Sequence, residues 1–293
     1  MIKFIRAITV IALTCINITV LGSIFFIVLI LKTISPTKKL KHILFLCSEQ
    51  TYHAWVDINT LIFKTCLPTK WDCDIQNDIS NKAWYALVAN HCSGVDIFIL
   101  QGAFNRKIPH LKFFMKDSLK WIPFIGQVCY LSDYPLIKRY TPSQIRKAPK
   151  LMHENIQSVI KSCNSLKKHP TTIINFLEGT RFTPTKHKKS KSPYKNLLPP
   201  QAGGTAIVLN ELQHEIKQVL DVTISYKKGA TLVDFITGNI PKISIRYKLI
   251  NVDNSWHGDF YKDRSFRASI VTKLKGIWQD KDAALEQLST KTE

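Results

Sequence analysis

Trp84-Tyr85-Ala86-Leu87-Val88-Ala89-Asn90-His91-Cys92-Ser93-Gly94-Val95-Asp96 is the stretch whose reading decides the fold. Tyr85 to Ala89 is a short apolar run of the kind that forms a buried strand. The run stops at Asn90, and the small polar residues around Gly94 mark a turn. Ile97-Phe98-Ile99-Leu100 then opens a buried helix. His91 therefore stands where a strand ends, and Asp96 stands in the first turn of the next element. On a regular helix a separation of five residues turns two side chains about 140° apart. Across a strand-to-helix turn they can converge instead. A carboxylate accepting from one imidazole nitrogen fixes the tautomer and leaves the other nitrogen free to take a proton. That is the smallest unit that deprotonates an alcohol near neutral pH. A surface imidazole beside a helix-capping carboxylate would give the same spacing, so the motif needs support from the rest of the chain.

The chain has 293 residues, 45% of them hydrophobic, and a formal net charge of +20. This is enough to bury a sizeable core. The charge favours polyanions: an anionic membrane surface, phosphorylated substrates or nucleic acid. No zinc-finger spacing, RNA-recognition signature or basic heptad pattern is present, which argues against nucleic acid as the partner. Seven cysteines at positions 15, 47, 66, 73, 92, 129 and 163 form no Cys-x-x-Cys pair. A disulfide framework is not expected, and reduced thiols facing the cytoplasm are. Cys92 adjoins His91, but neighbours in an extended segment point to opposite sides, so no Cys–His dyad is expected.

Working outward toward the N-terminus, Ala7 to Leu31 carries no charged residue. About 25 such residues suffice to cross a hydrocarbon core of roughly 30 Å. The length fits a retained anchor better than a cleaved signal peptide. Lys3 and Arg6 precede it, and Lys32, Lys38, Lys39 and Lys41 follow. The heavier basic flank is C-terminal, which places the remainder on the cytoplasmic side. His42 to Pro68 has Trp55, Ile58, Leu61, Ile62 and Phe63 at near-helical spacing. Two readings stay open there: a core-facing helix, or a helix lying along the bilayer. Thr69 to Lys82 reads as a polar connection. The expected organisation is an anchor at 1–35, an amphipathic connection at 36–82 and a catalytic domain at 83–293.

Toward the C-terminus, Leu111 to Gly126 alternates aromatic and basic residues, and Lys138 with Arg139 could hold a phosphate or belong to a solvated basic loop. Ala148 to Lys168 has the rhythm of a surface helix. Thr171 to Phe176 reads as a second strand and runs into Leu177-Glu178-Gly179-Thr180-Arg181. The segment just past a strand end is where an open α/β sheet places ligand-handling groups. Arg181 can bind phosphate oxygens in a bidentate manner while Glu178 holds the guanidinium or a substrate hydroxyl. A plain turn closed by an internal ion pair is the alternative. Lys186 to Lys195 reads as a polar loop, either a solvated charged segment or one that contacts lipid or substrate. Leu198 to Gly204 introduces a helix from about Thr205 to Leu212, where Gly203 and Gly204 allow close approach of a ligand or close packing. Val219 to Ser225 and Ile243 to Tyr247 read as strands. Asp263 to Trp278 reads as an amphipathic helix with a frayed Lys- and Asp-rich end. There is no Walker A motif, Gly-x-Ser-x-Gly elbow or His-Glu-x-x-His.

In order along the chain, Asn90-His91-Cys92-Ser93-Gly94-Val95-Asp96, Phe176-Leu177-Glu178-Gly179-Thr180-Arg181 and Pro200-Gln201-Ala202-Gly203-Gly204 resemble the glycerolipid and lysophospholipid acyltransferase family (PlsC-like). The wording of Leu131 to Tyr140 and of Leu197 to Gly204 is most similar to a bacterial YihG-like subgroup. The resemblance implies an α/β fold, with a mixed central sheet flanked by helices and an N-terminal transmembrane helix. It implies transfer of a fatty acyl group from acyl-CoA or acyl carrier protein to a lysophospholipid hydroxyl. His91 would be the general base and Asp96 its orienting partner. Glu178, Gly179, Thr180 and Arg181 would bind the acceptor's phosphate region. Lys138, Arg139, Ser93, Gly203 and Gly204 are further substrate-binding candidates, and backbone N–H groups from Ser93 to Val95 are candidates for the oxyanion. The departures are an irregular second block around Lys138 and Arg139, and Gln201 where the family often has a basic residue. No metal and no cofactor beyond the thioester co-substrate are expected. Membrane lipids are the expected partners and the bacterial inner membrane the expected location, with the catalytic domain facing the cytoplasm. A non-phospholipid acceptor, or a silent scaffold that binds anionic lipid, are the competing functions.

Overall fold

In this computed structural model, residues 1–76, 78–121, 125–137, 140, 144, 147–148 and 150–290 are described, with the backbone alone at 116, 125, 136–137 and 289–290. Two long helices open the chain, α1 (Ile2–Ile34) and α2 (Lys38–Cys66). Then follow β1 (Lys70–Cys73), β2 (Trp84–Ala89), α3 (Asp96–Phe104), β3 (Leu111–Phe113), β4 (Met115–Lys116), α4 (Ile125–Leu131) and β5 (Leu136–Ile137). The rest comprises α5 (Lys150–Leu166), β6 (Thr172–Phe176), α6 (Pro184–Ser190), α7 (Gly203–Glu211), β7 (Ile216–Tyr226), α8 (Leu232–Ile236), β8 (Lys242–Asn251) and α9 (Arg264–Thr290).

Six strands form one mixed sheet in the order β1-β8-β7-β2-β6-β3. β2 lies at its centre, parallel to both β6 and β7, and β8 runs antiparallel to β7. Both faces of β2 are covered, which is why Tyr85 to Ala89 reads as an unbroken apolar run rather than an alternating one. Leu87 and Ala89 pack with Ile174, Leu220 and Val222 under α2 and α3. Ala86 and Val88 pack with Ile173 and Val219 under α5, α7 and α9. The C-terminal ends of β2, β6 and β7 therefore open at one edge of the sheet, and the site is built there.

α1 is long and apolar enough to cross a membrane. Its neighbours qualify the expected single crossing. Near its start, Arg6 donates to the carbonyl of Thr237, just after α8. Near its end, the Phe25 ring lies 6.5 Å from that of His110, before β3. At about 1.5 Å per residue those two points are roughly 28 Å apart, so α1 runs along the sheet-bearing fold. Asn17 of α1, buried, donates to Asn59 Oδ1 at 2.8 Å and ties α1 to α2. The outer face of α1, including Ile8, Ile11, Ile16, Val20, Ile24 and Ile27, is exposed. α2 packs one face on the fold, with Tyr52, Val56, Ile62 and Phe63 buried as the core-facing reading expects, whereas Leu40, Ile43, Leu46, Ile58 and Leu61 are exposed.

Three elements differ from the sequence expectation. Lys70–Cys73, within the presumed polar connection, is an edge strand paired with β8. Its polarity is spent on ion pairs, with Asp72 meeting Lys242 and Arg246 at 3.0 Å each. The first half of the expected polar loop 186–195 is helical, up to Ser190, because Thr183 caps the N-terminus, Pro184 supplies a fixed φ and Lys191 closes the helix in the left-handed region at φ 48°. α9 does not fray after Trp278: Lys281 is fully buried, with its ammonium 2.7 Å from Asp221 Oδ1.

Candidate active site

At the end of β2 the chain turns over six residues, Asn90 to Val95, into α3, and the turn is organised by the carboxylate of Asp96. That side chain is fully buried. Its Oδ2 accepts from His91 Nδ1 at 2.7 Å, from the Cys92 N–H at 2.7 Å and from the Ser93 N–H at 3.0 Å. Three donors on one oxygen fix the rotamer and orient the imidazole. His91 is left 16% exposed at the surface of the fold, its ring stacked on Phe176 with centroids 4.1 Å apart. With Nδ1–H committed to Asp96, Nε2 is the atom available to accept a proton.

The other carboxylate oxygen, Oδ1, accepts from the phenol of Tyr226 at the end of β7. The Tyr226 and Ser93 hydroxyls lie 2.8 Å apart, and the Val95 N–H donates to Ser93 Oγ at 3.2 Å. One consistent proton order satisfies every atom: Ser93 O–H to Tyr226, Tyr226 O–H to Asp96. Burial, and then the Asp96 charge, push the Tyr226 phenol far up, so it stays a donor. Tyr226 did not stand out in the sequence. The available signal was its position at the end of the strand that neighbours β2. Asn90 adds a second bracket, its amide exchanging 2.9 Å bonds with both the N–H and C=O of Ile224. Cys92 points toward the Ile224 carbonyl, and burial, reinforced by the Asp96 and Glu178 charges, raises its thiol well above the ordinary range. It is no nucleophile.

Past β6, Gly179 makes the tight turn at φ 64°, a conformation that favours glycine. Arg181 swings back to the first turn: a Cβ placed on Gly94 would sit 3.4 Å from its guanidinium. The guanidinium is exposed, and no described carboxylate forms an ion pair with it. Glu178 faces the other way. Its carboxylate is buried and accepts from the His91 N–H at 2.7 Å and the Leu198 N–H at 3.0 Å. It thus clamps two backbone segments and does not hold Arg181 or reach outward. Burial raises its carboxyl to about 7, with the two backbone donors opposing. Thr180 Oγ1 accepts from Lys186 Nζ at 2.7 Å.

The family model described as "Acyltransferase" matches residues 71–227, just over half of the chain. The chain belongs to this acyltransferase family. The chain is 24% identical to mouse (Mus musculus) 1-acyl-sn-glycerol-3-phosphate acyltransferase epsilon over 194 residues, covering 58% of this chain and 51% of that protein. It is 27% identical to the probable 1-acyl-sn-glycerol-3-phosphate acyltransferase 5 of Arabidopsis thaliana over 179 residues, 57% of this chain and 45% of the other. The chain spans about half the length of these curated relatives. Among solved structures, the 1-acyl-sn-glycerophosphate acyltransferase PlsC from Thermotoga maritima aligns with a TM-score of 0.50 over 94% of this chain and 98% of that one. At 17% identity this likeness concerns the fold.

In this member of the family the candidate residues divide into groups. His91, Asp96, Ser93, Gly94 and Arg181 converge, with Ser93 buried inside the Asp96 network. Glu178 lies behind them. Gly203 is packed against Tyr261, where a Cβ would approach the phenol to 2.9 Å. Gly204 shares a cleft of about 200 Å³ with Phe176, Gly179 and Gln201. Lys138 and Arg139 lie outside the described residues. Of the three amides considered for an oxyanion, those of Ser93 and Val95 are already spent on Asp96 and Ser93 Oγ, which leaves Gly94. No cluster of three His, Cys, Asp or Glu side chains suited to a metal occurs among the described residues.

Proposed function

We propose that the protein transfers a fatty acyl group from an acyl thioester to the free hydroxyl of a lysophospholipid, with lysophosphatidate as the reference acceptor. The observation that carries this reading is the 2.7 Å His91–Asp96 contact on the turn after β2, beside a guanidinium brought in from the turn after β6 that has no ion-pair partner among the described carboxylates. Nε2 of His91 takes the proton of the acceptor hydroxyl as its oxygen attacks the thioester carbon. General base action of this kind contributes typically about 10²–10⁴-fold. The Gly94 N–H is the backbone donor left for the developing oxyanion. Collapse breaks the C–S bond, and the imidazolium returns its proton to the departing thiolate. Asp96 stays ionised throughout and stabilises the imidazolium. Arg181 holds the acceptor's phosphate oxygens in a bidentate pair.

The acyl chain has a place to go. An apolar cavity of about 290 Å³ lies between α1, α2 and the sheet, lined among others by Ile18, Phe25, Trp55, Ile97 and Phe113. Ile97 follows Asp96 directly, and Phe113 stacks on Phe176 at 6.1 Å, so the cavity wall leads to the ring under His91. Both ends of α1 touch the catalytic fold, so we read α1 and the apolar face of α2 as entering the bilayer from the side on which that fold sits. The cationic surface then adheres to anionic lipid, at the cytoplasmic face of a bacterial inner membrane. It also attracts the phosphorylated carrier, coenzyme A or acyl carrier protein. The YihG-like wording favours acceptors such as lysophosphatidylglycerol or lysocardiolipin. The deciding experiment gives the purified protein labelled acyl-CoA and lysophospholipids that differ only in headgroup. Transfer to at least one phosphate-bearing acceptor, with none to phosphate-free analogues, is expected. Transfer to an aminolipid alone, or no transfer at all, overturns the reading.

A further inference from the structure

α9 lies outside the segment that the family model matches, yet one of its faces is directed at the catalytic turn. Trp278, fully buried, donates through Nε1 to the Leu198 carbonyl at 2.8 Å. One turn later the Asp282 carboxylate accepts from the N–H groups of Lys195 and Asn196, both at 2.8 Å. Leu285, the next position on this stripe, lines a cleft shared with Asn90, Glu178 and Tyr226. Between them, Lys281 fastens the helix to β7: its ammonium meets Asp221 at 2.7 Å and donates to the Val222 carbonyl. β7 is the strand that pairs with β2 and ends in Tyr226.

Segment 195–198 is therefore gripped by α9 on three backbone groups. Another, the Leu198 N–H, goes to Glu178, whose other oxygen takes the His91 N–H. We propose that α9 is a positioning element of the active site, in which Trp278 and Asp282 hold segment 195–198 so that Glu178 fixes the backbone of His91. The proposal rests on His91 being the base. A helix serving only to cover the β-sheet needs apolar residues on that face. A fully buried lysine and a carboxylate given to two loop amides add specific geometry, and burying an ion pair is weak as a source of stability. Geometry is what the reaction demands, since a misplacement of about 1 Å from a remote change can cost about 10²-fold.

The test compares Trp278→Phe and Asp282→Ala with the full-length parent in vesicles, using labelled thioester and lysophospholipid. Each variant loses one set of hydrogen bonds, which corresponds to a fall in kcat of about three- to tenfold, with both KM values within twofold. Asp282→Asn, which keeps one acceptor oxygen, recovers part of the loss. Because both residues act through Glu178, adding either change to Glu178→Gln lowers kcat no further than Glu178→Gln alone. Amide hydrogen exchange at Leu198 and His91 rises in the single variants. Parental kcat in Asp282→Ala, or losses that multiply with that of Glu178→Gln, overturns the proposal. Asp282 is half-buried, so its variant carries the test even where Trp278→Phe folds poorly. If His91→Ala itself retains parental transfer, the underlying reaction has failed instead, and the two failures are distinguished.

Discussion

Replacing Arg181 with alanine removes a cation that the structure sets against Gly94 of the His91–Asp96 turn, with no ion-pair partner among the described carboxylates. A charge-assisted hydrogen bond contributes about 1.5–3 kcal/mol, which corresponds to about 12- to 150-fold at roughly 1.4 kcal/mol per decade. Arg181 is exposed, so solvent screening puts the expected loss at the lower end, about 10- to 30-fold in kcat/KM for the acceptor. The guanidinium touches the phosphate and not the reacting hydroxyl. The loss should therefore appear mainly as a raised acceptor KM, with kcat changed little. The assay follows labelled acyl transfer to lysophosphatidate and, in parallel, to a monoacylglycerol that lacks the phosphate. Arg181→Lys keeps the charge but not the two-pronged donor geometry and should fall between parent and alanine. An unchanged acceptor KM, or an equal loss on the phosphate-free acceptor, would refute the assignment of Arg181 to the phosphate.

Tyr226→Phe leaves Asp96 Oδ1 buried without its phenolic donor, which should cost about 1.5–3 kcal/mol of stability in denaturant titration together with a lowered kcat. Parental stability would show that the phenol is not needed there. Glu178→Gln tests linkage. The Glu178 carboxyl is raised by burial to about 7 from an ordinary 4.5, so between those values the native state keeps a proton that the unfolded chain has released. Its contribution is complete below about pH 4.5 and falls as pH rises toward 7, at about 1.4 kcal/mol per unit and about 3 kcal/mol in all. The glutamine variant should lose that slope relative to the parent, and matching slopes would count against a raised carboxyl.

Much of the site was legible because it is local. The unbroken run Tyr85–Ala89 announced a strand covered on both faces, and the abrupt polar change at Asn90 announced its end at the sheet edge. His91 and Asp96 meet because the turn between them is short enough for sequence spacing to constrain it. Arg181 follows a strand that pairs with β2, so its arrival was also readable. Partners brought in by pairing at long range were not. Tyr226 lies 130 residues from Asp96, and nothing in Ile224-Ser225-Tyr226 advertises a phenol aimed at a carboxylate. Glu178 read as a partner for the Arg181 guanidinium or a substrate hydroxyl because its two backbone donors, at His91 and Leu198, come from different segments. The Lys- and Asp-rich end of α9 looked frayed for the same reason: Lys281 and Asp282 find their partners on β7 and the 195–196 segment. Composition alone marked α1 as apolar, but its contacts along the catalytic fold exist only in three dimensions.

The most direct measurement is the rate of acyl transfer by His91→Ala, reconstituted in anionic vesicles beside the parent, with vesicle binding recorded for both. An imidazole acting as the base, oriented by a buried carboxylate, predicts a loss of at least about 10²-fold at equal vesicle binding. Transfer at the parental rate would contradict it.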